Sequence, residues 1–122
     1  MDNKDVALDF LRLIIAGRVN LAYTKHVGEG FRHHNPYFPG DADALREGMQ
    51  DSENENPGKL FEVKHAIAEG DLVAVHSHLR MHADDIGMAT VPLFRLHEGK
   101  IVELWDRWMP IPADSPNQFG MF

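Results

Sequence analysis

Cysteine is absent from this 122-residue sequence. The absence excludes thiol nucleophiles, disulfides and cysteine-ligated zinc, and it leaves histidine, aspartate and glutamate as the side chains for acid–base or metal chemistry. Basic residues are also scarce, because 12 Lys and Arg stand against 19 Asp and Glu, for a formal charge of -7. Without a basic stripe along which a phosphate backbone could lie, we expect no nucleic acid partner.

Long apolar runs are missing too. The longest near the start, residues 6–16, is interrupted by Asp9 and Arg12 and is shorter than the ~20 residues that a membrane span requires. It also lacks the basic segment and small-residue cleavage site of a secretory signal. We therefore expect a cytoplasmic protein with no membrane association. With 43% hydrophobic and 25% charged residues, the composition predicts one globular domain over residues 1–122.

Apolar residues at helical spacing mark the beginning of the chain. Leu8, Leu11 and Ile15 recur at intervals of three or four, which predicts an amphipathic helix that ends near Gly17. The same spacing continues over residues 18–27 and stops at a pair of glycines. Two short antiparallel helices are therefore expected to open the domain.

The next segment is predicted to be extended and then helical. Pro36 favours extended geometry in the residues before it, so His33 and His34 should point to opposite sides of the backbone. An aspartate can cap a third helix over residues 41–49. The polar run 51–58, which ends in Pro-Gly, is predicted to be a loop.

From Phe61 onwards the hydrophobic period changes from helical spacing to two, as a strand requires. Strands are predicted over residues 61–68, 72–82, 88–97 and 100–109, followed by a docked tail over 110–122. Helices that precede an antiparallel meander indicate an α+β fold, in which the helices pack on one face of a curved sheet and a cavity lies between them.

One acidic residue lies among large apolar neighbours in the last predicted strand. Alternation puts four side chains on one face: Val102, Leu104, Asp106 and Trp108. The other face takes Glu103, Trp105 and Arg107. Apolar surroundings disfavour the charged form of Asp106 and raise its pKa, which suits a general base. The alternative is that Asp106 is solvated near the strand end or paired with a cation.

Histidine is frequent, with eight residues. His76, His78 and His82 share one face of the second predicted strand. Two histidines at this spacing could bind a divalent metal with a third ligand, or one of them could transfer protons, or each could be a hydrogen-bonded structural ring. Because no glutamate follows the pair at the spacing of metal-binding strands, we expect no metal.

Four motifs in order point to a known family. They are His34-Asn35-Pro36, residues 68–78 (AEGDLVAVHSH), residues 99–106 (GKIVELWD) and the final Gly120-Met121-Phe122. Together they resemble the SnoaL-like polyketide cyclases of the nuclear-transport-factor-2-like (NTF2-like) superfamily. The resemblance implies a cone-shaped domain that pairs as a homodimer through its sheet and binds a small hydrophobic molecule in its cavity, without a cofactor.

The resemblance also implies roles for individual residues. In the characterised cyclases an aspartate of the last strands is the acid and base of an aldol ring closure, and Asp106 matches it. His34 and His78 match histidines of this group and are expected to orient the aspartate, polarise a carbonyl or relay a proton. Side chains expected to line the pocket are Phe31, Tyr37, His76, Phe94, Leu104, Trp108 and Met109. At Met109 many relatives carry glutamine. The same scaffold also serves binding and assembly domains without catalysis, which is the alternative function.

Overall fold

The computed structural model describes all 122 residues, which form three helices and seven strands. The first half contains α1 (Asn3–Ile15), α2 (Val19–His26), β1 (Val27–His33) and α3 (Ala42–Glu55). The second half contains β2 (Leu60–Glu69), β3 (Leu72–Arg80), β4 (Met88–Thr90), β5 (Leu93–His97), β6 (Lys100–Trp105) and β7 (Trp108–Pro110). The predicted α+β class is confirmed, and none of the helices is long and apolar enough to cross a membrane.

Side-chain caps start two of the helices. Asp2 accepts a hydrogen bond from the Asp5 amide at 2.8 Å, and the Asp5 carboxylate accepts one from the Asp2 amide at 3.3 Å. This reciprocal arrangement satisfies backbone donors that the first turn leaves unpaired. Asp41 caps α3 in the same way by accepting from the Ala44 amide at 3.1 Å.

The third helix is longer than its sequence indicated. It continues to Glu55, so the prediction of a loop at residues 51–55 was wrong. The polar residues there do not break the helix, because Glu53 turns inward and forms an ion pair with Lys59 just before β2. The helix ends at Asn56, whose amide donates to the Ser52 carbonyl at 2.9 Å, and Pro57 then prevents its continuation.

The sheet is mixed but mainly antiparallel. Its strand order is β1-β6-β5-β3-β4-β7, with β2 paired to the other edge of β3. Only β1 and β6 run parallel. The predicted third strand is broken into β4 and β5 at Val91 and Pro92, since proline has no amide hydrogen to donate. The predicted fourth strand is broken into β6 and β7 at Asp106 and Arg107.

The sheet has two faces with different surroundings. The cavity face lies against the helices, where the Phe94 ring is 5.9 Å from the Phe10 ring of α1. It carries the buried side chains of Val73 and Val75 and Leu79, which lines the cavity. The outer face, on the other side of the sheet, carries the residues that alternate with these. The buried core on the cavity side is a single cluster of 15 hydrophobic residues.

A bulge interrupts the alternation of β6. Arg95 pairs with Glu103 and Leu96 pairs with Ile101, so Val102 has no partner on β5. The extra residue gives both Ile101 and Leu104 to the core. The sequence prediction that placed Val102 on the face of Leu104 was therefore wrong, whereas Asp106 does share the face of Leu104.

Candidate functional site

A cavity of about 170 Å³ lies between the helices and the sheet. Its wall is mostly apolar and is formed by Phe10, Leu11, Ile14, Ile15, Met49, Phe61, Leu79, Pro92 and Leu104. Its polar lining consists of five residues: Ser52, Glu53, Lys59, Thr90 and Asp106. A concave, mostly apolar space with a few polar groups is typical of a small-molecule site.

Asp106 is the carboxylate of this cavity. Burial raises its pKa, and this effect is opposed by a hydrogen bond from Asn35 and by the nearby Arg107 and His33. Asn35 Nδ2 donates to Asp106 Oδ2 at 3.2 Å. The upward direction is the one expected from the apolar neighbours in the sequence, and it brings the proton affinity of the group closer to that of a general base at neutral pH.

The histidine on the side of Asp106 is His33, which the sequence analysis did not choose. Its ring is buried, with the residue only 5% exposed. The Asn35 amide donates to Nδ1 at 3.1 Å, so the hydrogen lies on Nε2, which donates to the Pro39 carbonyl at 2.6 Å. The same segment thus holds the Asn35 side chain toward Asp106. The buried Phe31 two residues earlier is the sequence signal that His33 points inward.

Tyr23 completes the buried surroundings of Asp106. Its phenol donates to the Met49 sulfur at 3.4 Å. Burial raises the pKa of Tyr23, and the negative charge of Asp106 raises it further. The phenol therefore stays protonated at neutral pH and remains a hydrogen-bond donor inside the domain.

His34 lies on the outer face of the sheet. Its Nε2 is 2.7 Å from Glu103 Oε2, and its ring stacks on Trp105 with centroids 5.2 Å apart. As predicted, His33 and His34 point to opposite sides. His34 and Asp106 both border an open cleft at the surface, but the imidazole contacts Glu103 rather than Asp106.

His78 is also on the outer face. Its Nε2 donates to the Ile86 carbonyl at 2.8 Å, and its ring packs 4.8 Å from the ring of Phe122. Because Val73, Val75, Ser77 and Leu79 of β3 face the core, alternation sends the even-numbered histidines outward. The expected convergence of Asp106, His34 and His78 therefore does not occur.

Most of the residues expected to line the pocket lie elsewhere. Leu104 lines the cavity. Phe31 and Phe94 are buried in the core. Tyr37 and Trp108 border the open cleft with their rings 6.4 Å apart, and Met109 is exposed on β7. His76 lies on the outer face, where its Nδ1 is 3.0 Å from His65 Nδ1. Only Leu104 of these seven residues lines the cavity, since amino-acid type does not distinguish core from pocket wall.

The sequence analysis missed the second polar group of the cavity. Lys59 Nζ donates to Ser52 Oγ at 2.6 Å and to Glu53 Oε1 at 2.8 Å. The Lys59 and Glu53 side chains are only 6% and 3% exposed. In the sequence these residues stand in a polar run typical of a loop, and the only available signal was a glutamate and a lysine six residues apart.

The structure has no arrangement of side chains that matches the metal-binding alternative. No group of three or more His, Asp or Glu side chains is arranged to hold a metal ion. The rings of His76 and His78 contact His65, Ile86 and Phe122 instead.

Comparison with known proteins agrees with the motifs in the sequence. A family model described as a SnoaL-like domain matches residues 7–104, which confirms the resemblance. No curated protein matches the chain significantly.

Solved structures confirm the NTF2-like fold. An NTF2-like protein of unknown function from Cytophaga hutchinsonii has a TM-score of 0.72 at 19% identity over 90% of this chain and 92% of that one. A SnoaL-like polyketide cyclase from Agrobacterium tumefaciens has a TM-score of 0.71 at 13% identity, over 89% and 92% of the two chains. AclR from Streptomyces galilaeus, described as a candidate hydroxylase, has a TM-score of 0.71 at 21% identity over 88% and 78%. At these identities the likeness establishes the fold alone.

Proposed function

Because the chain belongs to the SnoaL-like domain family, we propose that it is a lyase, isomerase or cyclase that moves a proton at the carbon beside a carbonyl, with Asp106 as acid and base and no cofactor. The observation that carries the proposal is the position of Asp106. It is the carboxylate that lines the apolar cavity without a cationic hydrogen-bond partner, and burial raises its pKa. A raised pKa brings the carboxylate closer to the range in which it can both accept and return a proton.

The proposed reaction only moves one proton and electron pairs between Asp106 and the substrate. Ionised Asp106 takes the proton from the carbon next to the carbonyl, and the electron pair of that bond moves onto the carbonyl oxygen. The enolate then either takes the proton back at a different carbon, as in an isomerase, or attacks a second carbonyl in the same molecule, as in an aldol cyclase. In the second case protonated Asp106 gives its proton to the new alkoxide.

The cavity limits the size of the reacting group. About 170 Å³ is close to the ~150 Å³ of an apolar cavity that holds one benzene molecule. The part of the substrate that enters is therefore a single ring or a short chain. A larger substrate would extend into the open cleft, which Asp106 also borders and where Tyr37 and Trp108 offer aromatic surfaces.

The substitution Asp106→Asn tests the proposal. Solvent-hydrogen exchange at the carbons beside the carbonyl is followed by NMR in deuterated water, on a panel of one-ring ketones and enones. Loss of the general base should lower the exchange rate by about 100-fold or more. Thermal stability should hardly change, because an asparagine oxygen can still accept from Asn35 Nδ2. The matched control is Asp114→Asn, an exposed aspartate in the tail. Full exchange activity in the Asp106→Asn protein would contradict the proposal.

A second function is favoured by the separation of Asp106 from His34 and His78. With neither histidine beside Asp106, the cavity can store or sense a ligand while the outer face joins two copies, as the family resemblance implies. A ligand that survives purification unchanged, in a dimer detected by light scattering, would favour this function. A monomer at working concentration would contradict the dimer.

A further inference from the structure

Lys59 presents an ammonium group at the wall of an apolar cavity. It lines the cavity together with Ser52 and Glu53, near the end of α3, while Asp106 lines it from the end of β6. Both side chains of the Lys59–Glu53 pair are more than nine-tenths buried. The cavity wall therefore contains the Lys59–Glu53 ion pair near the end of α3 and the Asp106 carboxylate at the end of β6.

One hydrogen-bond donor of Lys59 is left for a ligand. A lysine ammonium has three N–H donors, and two of them are used by Ser52 Oγ and Glu53 Oε1. By contrast, the Thr90 hydroxyl, which also lines the cavity, is already hydrogen-bonded to Ser77 at 2.6 Å. Lys59 is thus the cationic donor of the cavity with capacity to spare.

Stability alone is a weak reason to bury such a pair. Removing two charges from water costs several kcal/mol per ion, and apolar residues of similar volume are often equally stable or better. The remaining donor of Lys59 has no hydrogen-bond partner within the protein. A ligand oxygen at this position would satisfy it.

We propose that Lys59 is the carbonyl-binding residue of this cavity, holding the oxygen of a small neutral ketone or enone whose neighbouring carbon faces Asp106. This inference rests on the proposed proton transfer at Asp106. When Asp106 takes the proton from that carbon, negative charge develops on the carbonyl oxygen, and the Lys59 N–H donor stabilises it without giving up its proton. Return of the proton from Asp106 to another carbon of the enolate completes an isomerisation.

The charges of the cavity favour a neutral substrate. Glu53 already balances Lys59, and Asp106 supplies a further negative charge when it is ionised. A carboxylate ligand would add another anion to a site of low polarity, where like charges repel strongly. A carbonyl oxygen accepts the free donor without that cost.

Two probes of matched shape isolate the carbonyl contribution. Cyclohexanone and methylenecyclohexane differ in an oxygen replaced by CH₂, and both are one-ring molecules of the size that the cavity admits. Their dissociation constants are measured by NMR titration of the protein. The wild-type protein should bind the ketone more tightly, and loss of a hydrogen bond from a charged donor should reduce that preference by about tenfold.

The variant that removes the donor is Lys59→Met combined with Glu53→Met, which leaves neither partner as an unpaired charge and adds no new N–H donor. Lys59→Leu combined with Glu53→Leu is a second variant in case the first unfolds, as judged by circular dichroism. The matched control is Lys64→Met, because Lys64 lies outside the cavity and binds Glu62 at 2.9 Å. The control should keep the full preference for the ketone.

The outcomes separate this inference from the proposed function. Loss of the ketone preference in the Lys59 variants, with the preference retained in Asp106→Asn, supports the role of Lys59. An unchanged preference in the Lys59 variants, or no preference in the wild-type protein, overturns it. A covalent ketone adduct on Lys59 trapped by borohydride would also overturn it. If the preference depends on Lys59 but solvent exchange persists in Asp106→Asn, the proton-transfer function fails while the binding role stands.

Discussion

Glu103 and Asp106 are three residues apart and lie on opposite faces of the sheet, and the protein moves their pKa values in opposite directions. On the outer face, hydrogen bonds from Arg32 and His34, with a further one from Arg95, lower the pKa of Glu103 to about 2. On the cavity face, burial raises the pKa of Asp106. The Glu103 residue is the less exposed of the two, so burial alone does not explain the difference.

The hydrogen-bond partners of the two carboxylates explain why their pKa values move in opposite directions. Glu103 is 5% exposed, yet both of its oxygens are bound, by Arg32 Nε at 2.9 Å, His34 Nε2 at 2.7 Å and Arg95 Nε at 3.3 Å. Asp106 has one neutral amide donor. Charged donors stabilise the ionised form by more than burial destabilises it. The outer carboxylate is thus fixed as an anion and is suited to structure, whereas the inner one is suited to chemistry.

The largest expected effect comes from neutralising the outer carboxylate. Glu103→Gln should lower the free energy of unfolding by about 2 kcal/mol, because charge-assisted hydrogen bonds to a buried group are lost. Asp106→Asn should change it by less than about 0.5 kcal/mol. Urea unfolding at pH 7 measures both. An equal loss of unfolding free energy in both variants would contradict the different roles of Glu103 and Asp106.

The pH dependence of the free energy of unfolding should show the same difference between Glu103 and Asp106. The lowered pKa of Glu103 means that its ionisation stabilises the native state above its usual pKa of 4.5, and that this contribution is lost as pH falls from 4.5 toward about 2. The raised pKa of Asp106 has the opposite sign, since its contribution is lost as pH rises through that pKa. The difference in unfolding free energy between wild type and Glu103→Gln should therefore shrink over this acid range. A constant difference would show that the ionisation of Glu103 is not responsible.

The smallest effect on solvent exchange should come from replacing His34. Its side chain is 41% exposed, so His34→Gln, which loses the stack on Trp105 and the contact with Glu103, should cost about 1 kcal/mol. Solvent exchange on the ketone panel should stay within about twofold of wild type, because the imidazole does not contact Asp106. A loss of exchange rate as large as that in Asp106→Asn would show that His34 is catalytic, as the family resemblance implied.

The sequence predicted the elements of the fold well where local periodicity is strong. The helices that begin near Asn3 and Val19, and the strands from Leu60 and Leu72, are where the spacing of apolar residues put them. The predictions were wrong where tertiary contacts overrode local pattern. A polar segment joined α3 because Glu53 found a buried partner in Lys59, and no local rule reveals such a partner.

The candidate site was harder to predict. Asp106 could be chosen because its neighbours in the strand are apolar, but the choice among eight histidines depended on which parity faces the core. Motif resemblance favoured His34 and His78, whereas the buried Phe31 and the apolar Val73 and Val75 set the opposite parity. Alternation fixes relative faces but not which face is inside. The Lys59 ammonium escaped notice altogether because charged residues are rarely buried.

Asp106 borders both the cavity and the open surface cleft, and this position has a consequence for the fate of an individual hydrogen atom. A base sealed inside a protein hands the same atom back, so an isotopic label on the substrate is retained in the product. A base that is also in contact with bulk water exchanges the abstracted label with solvent while the substrate is still bound. For the proposed proton transfer, this position of Asp106 predicts washout of the label within a single turnover rather than internal return.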